Sequence, residues 1–447
     1  MKISSKRSLL AAAVAVATLT LAACGGGADD AGAPSVDLSS PAAKQGTLTI
    51  LTKFADPKYA PYFESVAKAY ESANPGVKVD LQQVGDQPYK DKIRVLSAAN
   101  ELPDIYFSWA GDFANKFVRA GLAADLTSVI GPDTEWGKTL APAATKAFEY
   151  DGKYYGVPIN LDGKYLAYNK AAFEKAGISA PPATLEELLS DCGKLKSAGY
   201  VPIALGNQYG WPAIHYITQL NAFNVPADTL AADYNPATGA FTDPGYVKAI
   251  EQFKQIADTC SSPGANGLSH EAAQAQLLGG KAAMQYIESL EFKVLTADGG
   301  ASKEIADNWS FFRLPAASGA PGDTGALTGA PDGFLVNASS KNTALAVDFL
   351  KFMTSQENAQ KIVKDLGWLS PVADSATSEN SYPQLTDTLT DMGKASQFAI
   401  WLDTVTQADV ASAYLSGVEG LLSGEKTPQQ VVEGVQKAAE GAKADAG

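Results

Sequence analysis

Between Thr47 and Phe107 the spacing of apolar residues switches repeatedly between a period of two and one of 3.6, and this constrains the fold more than any other feature. Thr47-Leu48-Thr49-Ile50-Leu51 is a short β-rich run. Tyr62, Phe63, Val66 and Tyr70 then recur at helical spacing until Asn74-Pro75-Gly76 breaks the helix. Val77 to Leu81 alternates as a second strand, and a helix around Tyr89 to Ala99 carries Ile93 and Leu96 inward. Pro103-Asp104 then leads into Ile105-Tyr106-Phe107. Such a βαβαβ series predicts a mostly parallel sheet flanked by helices. Ligands collect beyond the carboxyl ends of such strands, and Trp109 and Asp112 stand just after the third one.

Further along, Val157 to Asp162 reads as a strand, Tyr165 to Lys170 follows, and a helix starts at Ala171. Helices and short strands alternate to about Glu304. A Gly/Ala/Pro-rich stretch from Ala316 to Gly329 precedes the strand Gly333 to Asn337 and an amphipathic helix carrying Ala344, Val347, Leu350, Lys351 and Met353. From about Ser375 the pattern is helical. No internal repeat is visible.

The chain has 447 residues, 46% hydrophobic and 19% charged, which excludes a disordered polymer and leads us to expect two domains. A formal charge of −14 argues against a nucleic-acid partner. His215 and His270 are the only histidines, and Cys24, Cys192 and Cys260 lack zinc-ligand spacing, so no metal or other cofactor is expected.

Residues 1–23 read as a secretory signal: Lys2, Lys6 and Arg7 precede an apolar run from Leu9 to Leu21. Leu21-Ala22-Ala23-Cys24-Gly25 is similar to a bacterial lipobox, which would leave Cys24 lipidated; a plain Ala-x-Ala cleavage site is the alternative. Residues 24–46 are small and polar, as in a flexible tether. The expected location is extracytoplasmic, lipid-anchored to the cell membrane. In that oxidising setting Cys192 and Cys260 are expected to form a disulfide, the alternative being two buried thiols that never meet.

Several segments together resemble the family-1 extracellular solute-binding proteins of ATP-driven importers, the maltose-binding-protein-like group. These are the lipobox and tether; Leu102-Pro103-Asp104-Ile105 with Trp109 and Ala120-Gly121-Leu122; Tyr155-Gly156-Val157-Pro158 with Tyr168-Asn169-Lys170; Gly280 to Met284; Phe349 to Ser355; and Gly367 to Val372. The resemblance implies a two-lobe periplasmic-binding-protein-like α/β fold (type II), with discontinuous lobes, crossings near Asp162 and Phe334, and a ligand cleft between them. Lobe 1 would be 47–160 plus about 334–374, and lobe 2 161–333 plus about 375–447. By matched position Trp109, Asp112 and Asp162 would contact the ligand, with Trp211 and Trp401 as aromatic platforms. Asn207, Glu288, Asp332 and Trp368 complete the candidate set. Asp112 has a second reading as a helix cap, Asp162 one as a turn residue, and His215 is read as a structural helix residue. Leu290 stands where many relatives carry an aromatic ring.

The residue types themselves suit a sugar. A pyranose offers C–H faces to flat rings and a rim of hydroxyls to carboxylates or amides. The expected partners are a neutral sugar or oligosaccharide and the membrane permease subunits of the importer, with the protein a monomer. Two alternatives remain: a secreted glycoside hydrolase using paired carboxylates, and the same fold holding a non-sugar solute. No Gly-x-Ser-x-Gly, His-Glu-x-x-His or phosphate-binding Gly-rich loop is present. Few Lys or Arg stand among the cleft candidates, which speaks against an anionic ligand.

Overall fold

Two mixed sheets whose central strands are buried on both faces build the core of the computed structural model, which describes residues 42–446. The expected signal peptide, Cys24 and most of the tether lie outside the described residues. The opening series is β1 (Gly46–Thr52), α1 (Ala60–Ala73), β2 (Val77–Gln83), α2 (Asp86–Ala98) and β3 (Ile105–Trp109). α1 forms because Tyr62, Phe63, Val66 and Tyr70 share one buried face, Pro61 stands in its first turn and Asn74 caps its end. β3 is buried throughout, so it shows no alternation, and it runs to Trp109, two residues past the expected end at Phe107. α3 (Asp112–Arg119) follows directly.

The chain then supplies β4 (Gly156–Pro158) and β5 (Lys164–Asn169). The strand expected over Val157 to Asp162 ends at Pro158, because the chain there leaves one sheet for the other. Leu161 bridges to Leu369 instead of continuing a ladder. Next come α4 (Leu185–Ser197), β6 (Val201–Ile203), α5 (Trp211–Asn224), α6 (Pro244–Cys260), α7 (His270–Leu278), β7 (Ala282–Glu288) and β8 (Trp309–Phe312). The chain returns through β9 (Asp332–Val336) to α8 (Thr343–Met353) and α9 (Gln356–Leu366), then ends in α10 (Leu402–Val405), α11 (Ala408–Ser423) and α12 (Pro428–Ala446).

The first sheet has the order β2-β1-β3-β9-β4, and the second β8-β5-β7-β6. β1 pairs in parallel with β2 and β3, as expected, but β9 is antiparallel to both β3 and β4. The reason is topological: β9 arrives from the second sheet and enters the first from its ligand-side end. Leu327–Thr328 pairs with Phe398–Ala399, which holds this crossing against the C-terminal segment.

Thr184 caps α4 by accepting from the Glu187 amide, and Leu185, Leu188, Cys192 and Leu195 face inward. Cys192 is bonded to Cys260 at the end of α6, with Cα atoms 5.2 Å apart. Closing a 68-residue loop removes about 4 kcal/mol of unfolded-state freedom on the chain-entropy model. Among the described residues no helix is long and apolar enough to cross a membrane. Changing both Cys192 and Cys260 to Ala is expected to lower stability by about 2 to 4 kcal/mol. Urea unfolding at matched pH would measure it, and a loss below about 1 kcal/mol would count against a stabilising bridge.

Candidate functional site

A cavity of about 540 Å³ opens where strand ends of both sheets meet. On the side of the first sheet its wall carries Lys53 and Phe54 after β1, Asp86 and Lys90 of α2, Trp109 at the end of β3 and Asp332 at the start of β9. On the other side stand Trp211 and His215 of α5, His270 of α7 and Glu288 at the end of β7. Leu290 and Glu291 of the short 3-10 helix Ser289–Leu295 after β7, together with Trp401 and Asp403, complete that wall. Asp162 sits in the crossing between β4 and β5.

Six of the nine candidate ligand residues are therefore brought together: Trp109, Asp162, Trp211, Glu288, Asp332 and Trp401. Three are not. Trp368 is 0% exposed and packs against Phe54, Tyr59 and Phe63, with centroids at 5.1, 5.1 and 6.2 Å, so it is core beneath the site. Asp112 turns away to Arg119 at 2.6 Å, and as the first residue of α3 it makes no cap bond either. Asn207 is consumed locally: its carbonyl accepts from the Ala213 amide in the first turn of α5, and its amide donates to Asn266. Leu290 does line the cavity where an aromatic was missing. His215 is a helix residue as expected, but its ring also faces the cavity.

The indoles differ in what covers them. Trp109 has the Lys53 and Lys90 ammoniums 4.6 and 5.0 Å from its ring centre and meets Phe107 and Phe113 edge-on. Trp401 stacks on His215 at 4.4 Å. Trp211 is the least covered of the three, half-buried, with His270 at 4.6 Å and the Lys164 ammonium 4.6 Å from its ring.

The polar groups form one continuous series of alternating character. Lys164, without solvent access, reaches Glu288 Oε1 at 3.3 Å and His215 Nδ1 at 2.9 Å. Because Lys164 can only donate, His215 accepts at Nδ1 and keeps its proton on Nε2. That nitrogen faces Asp403 Oδ1 at 3.5 Å, which has no closer donor. Asp403 then pairs with Lys90 at 3.9 Å, Lys90 with Asp86 at 3.9 Å, Asp86 with Lys53 at 3.3 Å, and Lys53 with Asp332 at 3.8 Å.

These neighbours set the titration of each group. Burial and then the Lys164 charge push His215 below the ordinary imidazole range, so it is neutral at pH 7. For Asp403 burial is outweighed by the His215 bond and the Lys90 charge, which lower it to about 2. Glu291 is lowered in the same way: burial opposes, but His270 at 2.7 Å prevails. Burial also works against the Lys53 ammonium, and Asp332, Asp86 and Glu288 more than offset it. Asp162 and Asp332 move the other way. Burial and the Glu288 charge raise Asp162, although Ser289 and the Leu290 amide donate to it. Burial lifts Asp332 to about 6 against the pull of Lys53.

Lys53, Lys58, Lys90, Asp86 and Asp403 were not candidates from the sequence, and three lysines on the wall correct the expectation that the cleft lacks them. Opposition to an anionic ligand rests instead on the eight carboxylates that share the wall.

Residues 55–360 match the family described as bacterial extracellular solute-binding protein, and the chain belongs to that family. A Brucella abortus protein (strain 2308) named as a binding protein is 27% identical over 326 residues, covering 70% of this chain and 73% of its own. The diacetylchitobiose binding protein DasA of Streptomyces coelicolor is 25% identical over 265 residues, 58% of each chain. A solved chitin oligosaccharide binding protein superposes with a TM-score of 0.81 at 24% identity, covering 90% of this chain and all of its own, and shares the type II two-lobe fold.

Asp332 yields a prediction with a definite sign. Its folded pKa of about 6 lies above the usual aspartate value of 3.8, so between those pH values the folded protein holds a proton that the unfolded chain has released. Its contribution to stability therefore falls as pH rises through that window, by about 3 kcal/mol in full. Asp332→Asn cannot titrate, so its stability relative to the parent should climb from pH 4 to pH 7. A gap that stays constant in denaturant unfolding at the two pH values would refute the assignment.

Proposed function

We propose that the protein is the capture component of an ATP-driven importer and that its cleft takes a neutral sugar or short oligosaccharide, which it hands unchanged to the membrane permease. The observation that carries this reading is the meeting of three indoles with unpaired carboxylate oxygens on the wall of one cavity of about 540 Å³. Flat rings suit the C–H faces of a pyranose, and Asp162, Glu288 and Asp332 suit its hydroxyl donors. The names of the relatives favour the same ligand class. Trp211 is the principal platform because its ring is the least covered; Trp401 and Trp109 flank the ligand.

The lobes divide as the strand order suggests: 47–160 with about 334–374 around the first sheet, and 161–333 with about 375–447 around the second, β9 itself belonging to the first. The protein works as a monomer, anchored outside the cytoplasm through a lipid on Cys24. It is not an enzyme, and its carboxylates act as hydrogen-bond acceptors. A glycosidase has one observation in its favour, the raised Asp332, which could serve as a general acid.

In a thermal-shift panel of xylo-, cello- and chito-oligosaccharides, one sugar class should raise the melting temperature with concentration as RT ln(1 + [L]/Kd). Trp211→Ala should weaken its binding by about 1 to 3 kcal/mol, about fivefold to 150-fold. No shift with any sugar, or reducing ends released over time, would defeat the reading in favour of another solute or of the glycosidase. For the anchor, Cys24→Ala is expected to release the protein into the medium; retention in the membrane fraction would refute lipidation.

A further inference from the structure

The five residues Trp401 to Val405 serve both sides of the cleft. Trp401 shows its ring to the cavity and stacks on His215, while the Leu402 amide donates to Thr218 of α5 and pins the segment to the second sheet's helices. Two residues further on, the same segment touches the first sheet's side. Asp403 reaches Lys90 of α2 at 3.9 Å. Among the described residues this is the one side-chain ion pair that joins a group packed beside the first sheet to a group packed on the second.

Beside it lies a close backbone approach. Gly111, between β3 and α3, has φ +84°, and a Cβ there would stand 2.9 Å from Val405 Cα and 3.0 Å from the Thr404 carbonyl oxygen. A glycine is needed twice over, for its left-handed conformation and for the space. Any larger residue would push the segment away from the first sheet.

We propose that Asp403 and Lys90, seated by Gly111 against Val405, form a latch that holds the two sides of the cleft closed. The inference rests on the reading of the cavity as a ligand cleft between lobes. The latch is joined to the ligand wall by contacts already described: Glu288 through Lys164 and His215 leads to Asp403, and Trp401 is two residues away. A ligand that orders Trp401 and Glu288 therefore orders Asp403, and Asp403 in turn holds α2. Asp403, Lys90 and Gly111 are positioning residues in this scheme.

Spin labels at Val95→Cys on α2 and Ser412→Cys on α11, both exposed positions, report the separation of the two sides in the full chain carrying Cys24→Ala. Without ligand, Asp403→Asn, Lys90→Met and Gly111→Ala should each move the distance distribution to longer values. The Lys90→Met/Asp403→Asn double variant should move it no further than either single change. With N,N′-diacetylchitobiose as probe, dissociation from Asp403→Asn should be faster by about tenfold, the low end of typical site-to-site coupling. Distributions unchanged in all three variants, or additive effects in the double variant, would overturn the latch. If the distances shift while no sugar binds the parent protein, the latch stands and the sugar reading fails.

Discussion

Lys164 lies among the rings of Trp211, Tyr286 and Trp401 with no access to water, and a buried ammonium of this kind costs several kcal/mol unless acceptors surround it. Glu288 and His215 are those acceptors, and supplying them dictates much of the rest. His215 must accept at Nδ1, so its other nitrogen turns toward Asp403, and its ring plane becomes the surface on which Trp401 lies. Trp211 is drawn over the same ammonium. Two indoles, an imidazole and two carboxylates thus take their orientation from one desolvated charge.

The first sheet solves the same problem with a different arrangement. Lys53 and Lys90 stand over Trp109 and are paired with Asp332, Asp86 and Asp403. These lysines are partly accessible, so each pair is weaker than a buried one, and the value of the arrangement is geometric. It keeps Trp109 fixed at its strand end and leaves the carboxylates facing a common space.

Much of this architecture was legible in the chain, because elements that bury one face announce themselves by period. α1, β2 and α2 follow their apolar spacing closely, whereas in α8 Lys351 of the expected pattern is exposed and Ala344 only half-buried. The antiparallel β9 was not legible: a strand's direction in a sheet depends on where the chain has been, and Asp332 to Val336 carries no local mark of it. Trp109, Glu288 and Asp332 stand at strand ends on the cavity wall, and the end of a strand is a place that patterning can find. Trp368, Asn207 and Asp112 went astray for a shared reason. A tryptophan fills a core as readily as it lines a cleft, and an Asn or Asp near a helix start serves the helix as readily as a ligand. Lys53, Lys90 and Lys164 gave no signal at all, because a single lysine has no period and partners such as Asp332, Asp403 and Glu288 lie far away in sequence.

A wall of this composition has a consequence for what it can discriminate. Eight carboxylates and three lysines line the cavity, and six of those groups are joined in the series from Glu288 to Asp332. An anion entering the cavity would meet a surplus of like charge in a poorly hydrated space, where repulsion is strong. A cation would have to compete with lysines already in place. A neutral polyhydroxylated molecule disturbs neither balance: its hydroxyls donate to the carboxylate oxygens that the lysines leave free and accept from the ammoniums, and its apolar faces lie on the rings. Charge pairing on the cavity wall therefore selects against charge in the ligand, while the indoles select for a flat C–H face. Together these two filters leave a much narrower class of guests than either the aromatic rings or the acidic surplus would define alone.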